Sequence, residues 1–200
     1  MITVSCVYYK NTTGQPYWAG CYSPEWVDKL CRGVMRNYSK PFKFVCFTNE
    51  DWLSFKEEIT LVSLVPGSWH TICKQQHALD CDNLVILGLD TIITGKLDEI
   101  FAFEGALAVP RDPYMPDQPC NGVVIQRGAR PDIASATAGS DMMVIRQFPH
   151  QYLDDLFPGQ VLSYKVHVKL NGLGDARLVY FHGVPKPSDL QDDWVKEHWV

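Results

Sequence analysis

The chain has 200 residues, enough for the core of one domain, and its 46% hydrophobic and 20% charged content is ordinary for a soluble globular protein. With 18 basic and 23 acidic residues the net charge is −5, which argues against a broadly basic nucleic-acid surface but allows a local basic groove. The seven cysteines contain no CxxC pair, and several lie in apolar runs such as Val45-Cys46-Phe47, so they read as buried free thiols of a reducing compartment. No stretch resembles a signal peptide, and no apolar run approaches the roughly 18 residues that span a bilayer, so a soluble, cytoplasmic protein is expected.

In chain order, Ile2 to Tyr9 is rich in β-branched and aromatic residues and reads as a first strand, followed by a polar loop from Lys10 to Pro16. Ser23-Pro24 opens a helix, Ser23 as N-cap, whose apolar stripe is Val27, Leu30, Cys31, Val34 and Met35. Phe42 to Thr48 and Ile59 to Leu64 are strands, and a helix is expected from Gly67 to about Leu79. Leu84 to Leu87 is an apolar run of the kind buried on both faces of a sheet. It is followed by Gly88-Leu89-Asp90, a short apolar run from Thr91 to Ile93, a turn, and one helical turn over Leu97 to Phe101.

Gly105 to Pro110 is another strand candidate, and the prolines of Arg111 to Pro119 predict a stiff irregular excursion that is neither helix nor central strand. Strand character returns over Asn121 to Gln126, a short helix is possible over Asp132 to Ala136, and Ser140 caps a helix to Phe148 with Met143, Ile145 and Phe148 facing inward. Val161 to His167 and Leu178 to His182 are strand-like, with an exposed glycine-containing loop between them from Leu170 to Asp175. Ser188 to Gln191 has the pattern of a capping box opening a last helix that holds Trp194 and Trp199. Alternating strands and helices followed by a more irregular half predict an α/β sheet with a mixed C-terminal part, within one domain over residues 1–200.

A buried strand that ends in a carboxylate is where open α/β sheets place ligands, which makes Asp90 the first candidate. His182 ends the last strand just before Gly183-Val-Pro-Lys-Pro187. A carboxylate and an imidazole together suit a divalent cation, Mn²⁺ or Mg²⁺, and Lys186 supplies a mobile positive charge for a phosphate. Singly, each has a plain alternative: a turn-forming Asp, a packed His, a solvated Lys. Tyr8 and Tyr9 lie at the same sheet edge as Asp90 and read either as packing residues or as an aromatic wall for a nucleotide base.

Leu87-Gly-Leu-Asp-Thr-Ile-Ile-Thr-Gly-Lys-Leu-Asp-Glu-Ile-Phe101 resembles the DxD region of glycosyltransferase family 8 and its glycogenin-like relatives, which reads Leu-Asp-x-Asp-Thr and continues into a Gly-x-Leu-x-Glu element. Phe181-His-Gly-Val-Pro-Lys-Pro187 resembles the family's C-terminal His and Gly-x-x-Lys-Pro motif, with the His closer to the Gly than usual. Cys120-Asn-Gly-Val-Val124 and Gly139-Ser-Asp-Met142 are weaker matches, Lys74 occupies a place like that of the family's lysine ahead of the DxD strand, and the short length resembles phage-encoded members. The resemblance implies a GT-A fold, a Rossmann-like α/β domain with a mixed, mostly parallel central sheet flanked by helices. It implies a glycosyltransferase that takes a UDP-sugar or other nucleotide-sugar as donor. Asp90 and His182 would ligate the metal, and Lys186 would contact the diphosphate. Tyr8, Tyr9, Lys74, Gly88, Leu89, Asn121, Gly122 and Gly183 would line the nucleotide-sugar site, with Asn121 and Asp141 near the reacting sugar.

The first Asp of the DxD is Gly88 here. Metal held by Asp90, His182 and water, a substitute such as Asp112 or a backbone carbonyl, or loss of catalysis in a GT-A module that only binds a nucleotide sugar or a protein partner all fit that departure. The acceptor is open: glycan, small molecule, protein or, from the phage-like resemblance alone, a modified DNA base.

Overall fold

The computed structural model describes residues 1–10, 21–50, 53–65 and 67–200. The elements run β1 (Ile2–Tyr8), α1 (Pro24–Asn37), β2 (Phe42–Thr48), β3 (Thr60–Ser63), α2 (Trp69–Lys74) and, after a 3₁₀ turn over Gln75–Ala78, β4 (Asn83–Leu87). β5 (Ile92–Ile93), α3 (Asp98–Phe101), β6 (Leu107–Val109), β7 (Arg111–Asp112), β8 (Met115–Pro119), β9 (Val123–Arg127), α4 (Pro131–Ser135) and α5 (Asp141–Ile145) follow. The chain closes with β10 (Gln151–Tyr152), α6 (Leu153–Leu156), β11 (Val161–Ser163), a π-helical turn over Tyr164–Val168, α7 (Lys169–Asn171), β12 (Leu178–Tyr180) and α8 (Asp193–His198). This is the expected α/β class, with a mostly parallel central sheet flanked by helices.

The main sheet has the order β10-β6-β9-β4-β1-β2-β3. β1 pairs in parallel with both β2 and β4, and β2 with β3, while β9 runs antiparallel to β4 and β6. The chain therefore winds outward from β1 to β3 and returns to the other side of β1 as β4. That reversal opens a crevice beyond the carboxyl ends of β1 and β4, where doubly wound sheets bind ligands. A second sheet, β11-β12-β5, carries the C-terminal segment up to the same edge.

The core follows the apolar patterns. Val4, Cys6 and Tyr8 of β1 face Val27, Leu30, Cys31 and Val34 of α1, all at most 4% exposed. Gly33 lets α1 lie close on β5, since a Cβ there would meet Ile93 Cδ1 at 3.2 Å. On the other face of β1, the Ser5 hydroxyl donates to Gln76 Oε1 at 2.8 Å and fastens the 3₁₀ turn to the sheet. Among the described residues no helix is long and apolar enough to cross a membrane.

Several local expectations change. Met35 is 53% exposed, because it lies one step around α1 from Val34, and Met143 is 49% exposed, because α5 is short and buries Val144 and Ile145. Ser23 sits at the N-cap of α1 without a side-chain hydrogen bond to it. The proline-rich excursion is a hairpin, β7–β8, whose turn is made by the Asp112 carboxylate accepting from the Tyr114 and Met115 amides. The strand expected to reach His167 stops at Ser163, whose amide donates to His167 Nδ1 at 3.2 Å and starts the π turn. The box at Ser188 to Gln191 does not form; Asp189 instead accepts the Lys186 amide at 2.7 Å to close a 3₁₀ turn over Pro187–Asp189, and α8 begins after Asp192. β10 and α6 carry no pattern long enough to be read from sequence.

His77 is 6% exposed and its Nδ1 meets Gln126 Oε1 at 2.6 Å. Burial lowers its proton affinity more than the Gln126 contact raises it. The unfolded chain then binds a proton near pH 6.5 that the folded chain resists, so this contribution to stability is full above about pH 6.5 and shrinks as the pH falls below it. Replacing His77 with Gln should flatten the fall in melting temperature between about pH 7.5 and 5.5; a variant that keeps the whole slope would exclude His77 as its source.

Candidate functional site

The crevice between β1 and β4 is a cavity of about 380 Å³. It is lined by Val7 of β1, Ile86 to Asp90 at the end of β4, residues of α2 and of the start of α5, and Phe181 to Gly183 with Lys186. Of the residues singled out by sequence, Gly88, Leu89, Asp90, Asn121, Gly122, Asp141, His182, Gly183 and Lys186 all line this one cavity. Gly122 is required sterically, since a Cβ there would stand 2.5 Å from the ring of Tyr180, itself 1% exposed.

Three elements distant in sequence meet at the cavity floor. Asp90, 6% exposed, receives the Lys186 ammonium on its Oδ2, and Lys186 is 2% exposed. Tyr22 closes the group: its hydroxyl donates to Asp90 Oδ2 at 3.0 Å and accepts from Lys186 Nζ at 2.8 Å. Burial, and then the Asp90 charge, push the Tyr22 phenol far up, so it stays a proton donor. Asp90 is in place because β4 ends at Leu87 and a turn follows, with the Thr91 amide donating to the Gly88 carbonyl at 3.0 Å.

A second polar group forms a side wall. Asp141 opens α5, where Ser140 Oγ accepts the Met143 amide at 3.1 Å as a cap. One Asp141 oxygen meets His70 Nδ1 at 2.8 Å, and the other accepts from Asn121 Nδ2 at 2.7 Å. His70 and its neighbour Trp69 are the first two residues of α2. Nothing in the sequence around them marks either for a role, and no spacing signals a contact across 71 positions. Tyr22 was missed for the same reason.

Three expected residues lie elsewhere. Alternation along β1 turns Val7, not Tyr8, to the cavity, and Tyr8 is 4% exposed in the core against α1. Tyr9 packs on the cluster of Val45, Phe47, Leu64 and Ile72. Lys74 is buried, with its ammonium on the Ala136 carbonyl, which ties α2 to the end of α4. The expected loop from Lys10 to Pro16 lies, beyond Lys10, outside the described residues.

The donor set for a divalent ion is Asp90 and His182, and it does not fit one. The Asp90 carboxylate already carries an ammonium and a hydroxyl, and His182 Nε2 meets Ser163 Oγ at 2.9 Å. Burial, then Lys165, hold the His182 imidazole toward its neutral form. Among the described residues no three of His, Cys, Asp and Glu gather as a metal group. Asp112 is no substitute acid, because besides the hairpin amides it binds Arg146 Nη2 at 2.7 Å. Nor is there room at position 88: a Cβ there would lie 2.9 Å from Asp90 Oδ1, on a carboxylate fixed from its other side.

No protein-family model matches the chain, and no curated protein sequence does. Its fold is that of solved glycosyltransferases. The glycosyltransferase GlyE of Streptococcus pneumoniae TIGR4 superposes with a TM-score of 0.62 at 13% identity over 98% of this chain, which spans 62% of GlyE. The galactosyltransferase LgtC, solved in complex with donor and acceptor sugar analogs, superposes with a TM-score of 0.64 at 8% identity over 99% of this chain and 96% of its own. An active-site mutant of LgtC gives 0.62 at 8% identity, over 98% and 93%. At these identities the likeness shows the fold, of GT-A type.

Proposed function

We propose that residues 1–200 form a single GT-A-like domain that transfers a sugar, hexosyl or pentosyl, from a nucleoside-diphosphate sugar such as a UDP-sugar to an acceptor. The observation that carries this reading is the convergence of Asp90, Asn121, Asp141, His182 and Lys186 on one cavity at the β1/β4 switch point. The GT-A fold supports it.

Transfer breaks the bond from the anomeric carbon to the diphosphate oxygen and joins that carbon to an acceptor oxygen, which loses its proton. The protein must bind the diphosphate, stabilise the charge left on it, and orient the sugar. Asn121 and Asp141, held by each other and by His70, are assigned to the sugar end, where a fixed carboxylate can bind hydroxyls. Gly88, Leu89, Gly122 and Gly183, which line the cavity, are assigned to the donor. Trp69 is assigned to the base in place of Tyr8 and Tyr9, as a ring on the cavity side. Mn²⁺ or Mg²⁺ at Asp90 and His182 would require Lys186 to leave Asp90, and no step is assigned to a metal.

A thermal-shift panel of UDP, GDP, ADP and CDP sugars, each with EDTA or Mn²⁺, tests the reading. At a hundredfold excess over Kd one donor should add about 2.7 kcal/mol, or roughly 5–10 °C in melting temperature for a chain of this size. If none raises it and none is hydrolysed, the glycosyltransferase reading fails. With the donor found, Asp141→Asn should lower kcat about a hundredfold while changing donor affinity by less than about threefold; wild-type turnover would remove Asp141 from the sugar site.

A further inference from the structure

A diphosphate carries several negative charges, and a cavity that binds it has to supply positive ones. The cations near this cavity are mostly committed. Lys186 is spent on Asp90, Lys74 is turned to the Ala136 carbonyl, and His70 faces Asp141. Lys165 differs. It lies in the π turn after β11, half-buried, and forms no salt bridge among the described residues. Its ammonium stands 3.5 Å from where a Cβ on Gly183 would be, and it is close enough to His182 to lower that imidazole's proton affinity. Gly183 and His182 line the cavity, and Lys165 stands against Gly183 just outside that lining, where the glycine, at φ +58°, puts no side chain beside the ammonium. A π turn inserts one residue into a helical turn and re-aims the side chains it carries, a device frequent at functional sites.

We propose that Lys165 binds the diphosphate of the donor across Gly183, and that with Lys186 fixed on Asp90 this ammonium does the work of a divalent ion, so that donor binding needs no metal. The proposal rests on the nucleotide-sugar reading of the cavity. Neither residue spacing nor the resemblance to family 8 singled out Lys165. An ammonium is a point charge on a flexible stem, suited to follow the charge that grows on the leaving diphosphate. It needs no carboxylates around it, and among the described residues no three of His, Cys, Asp and Glu gather as a metal group.

The test is isothermal titration of the intact protein with UDP, GDP, ADP and CDP, and with the matching nucleosides, in EDTA and in saturating Mn²⁺. The diphosphate that binds best should do so within about twofold of the same Kd in both buffers. Lys165→Ala should weaken that diphosphate about tenfold, leave its nucleoside unchanged, and keep the wild-type melting temperature, while Lys165→Arg should recover most of the loss. Binding strengthened tenfold or more by Mn²⁺ would overturn the proposal, as would a Lys165→Ala variant that binds the diphosphate as the wild type does. Should no diphosphate bind the wild type in either buffer, the nucleotide-sugar reading itself falls, and this proposal with it.

Discussion

The buried pair of Asp90 and Lys186 is the constraint around which the rest of the site is arranged. Each side chain is almost wholly withdrawn from water, 8% and 2% exposed, and stranding either charge alone would cost several kcal/mol. The pair therefore has to form, and forming it draws three distant parts of the chain together. Tyr22 comes from the segment before α1, Asp90 from the end of the central strand, and Lys186 from 96 positions beyond Asp90. The cavity floor thus exists only when the C-terminal segment has docked on the main sheet.

The same pair explains the glycine at position 88. A side chain there would run into a carboxylate that Lys186 and Tyr22 hold in place. Read as a sequence, Gly88 is a missing ligand. Read in three dimensions, it leaves room for an Asp90 that faces an ammonium. One substitution accounts for both the absent carboxylate and the changed role of the one that stays. The group of His70, Asp141 and Asn121 is built separately, and its hydrogen bonds hold a second carboxylate in place on the same cavity.

Much of this was legible in the residues. The succession of strands and helices in the first half follows from apolar runs separated by helical stripes, and the strand-end position of Asp90 follows from the apolar run Leu84 to Leu87. The convergence of Asp90, His182 and Lys186 came from matched motifs. Contacts between elements did not show: nothing local to Tyr22 or His70 marks it as facing the cavity, and nothing local to Lys165 marks it as standing beside Gly183. Of the two readings open for Tyr8, packing and an aromatic wall, strand alternation decides for packing, since one residue exchanges the two faces of a sheet. The strand expected through His167 broke at Ser163 because one side chain, His167, captures a backbone amide, an event that β propensity does not register. Lys74 looked like a site residue by position, and its ammonium was taken by a carbonyl on a different helix.

A double-mutant cycle on the floor measures this coupling directly, using urea unfolding of the wild type, Asp90→Asn, Lys186→Met and the combined variant. Each single change should cost about 3–5 kcal/mol, because it leaves its partner charged and unpaired in a buried place. The double variant should cost less than the sum of the two by about 1–3 kcal/mol. Strictly additive losses, or single variants as stable as the wild type, would contradict a buried Asp90–Lys186 pair and with it the ammonium-filled floor of the cavity.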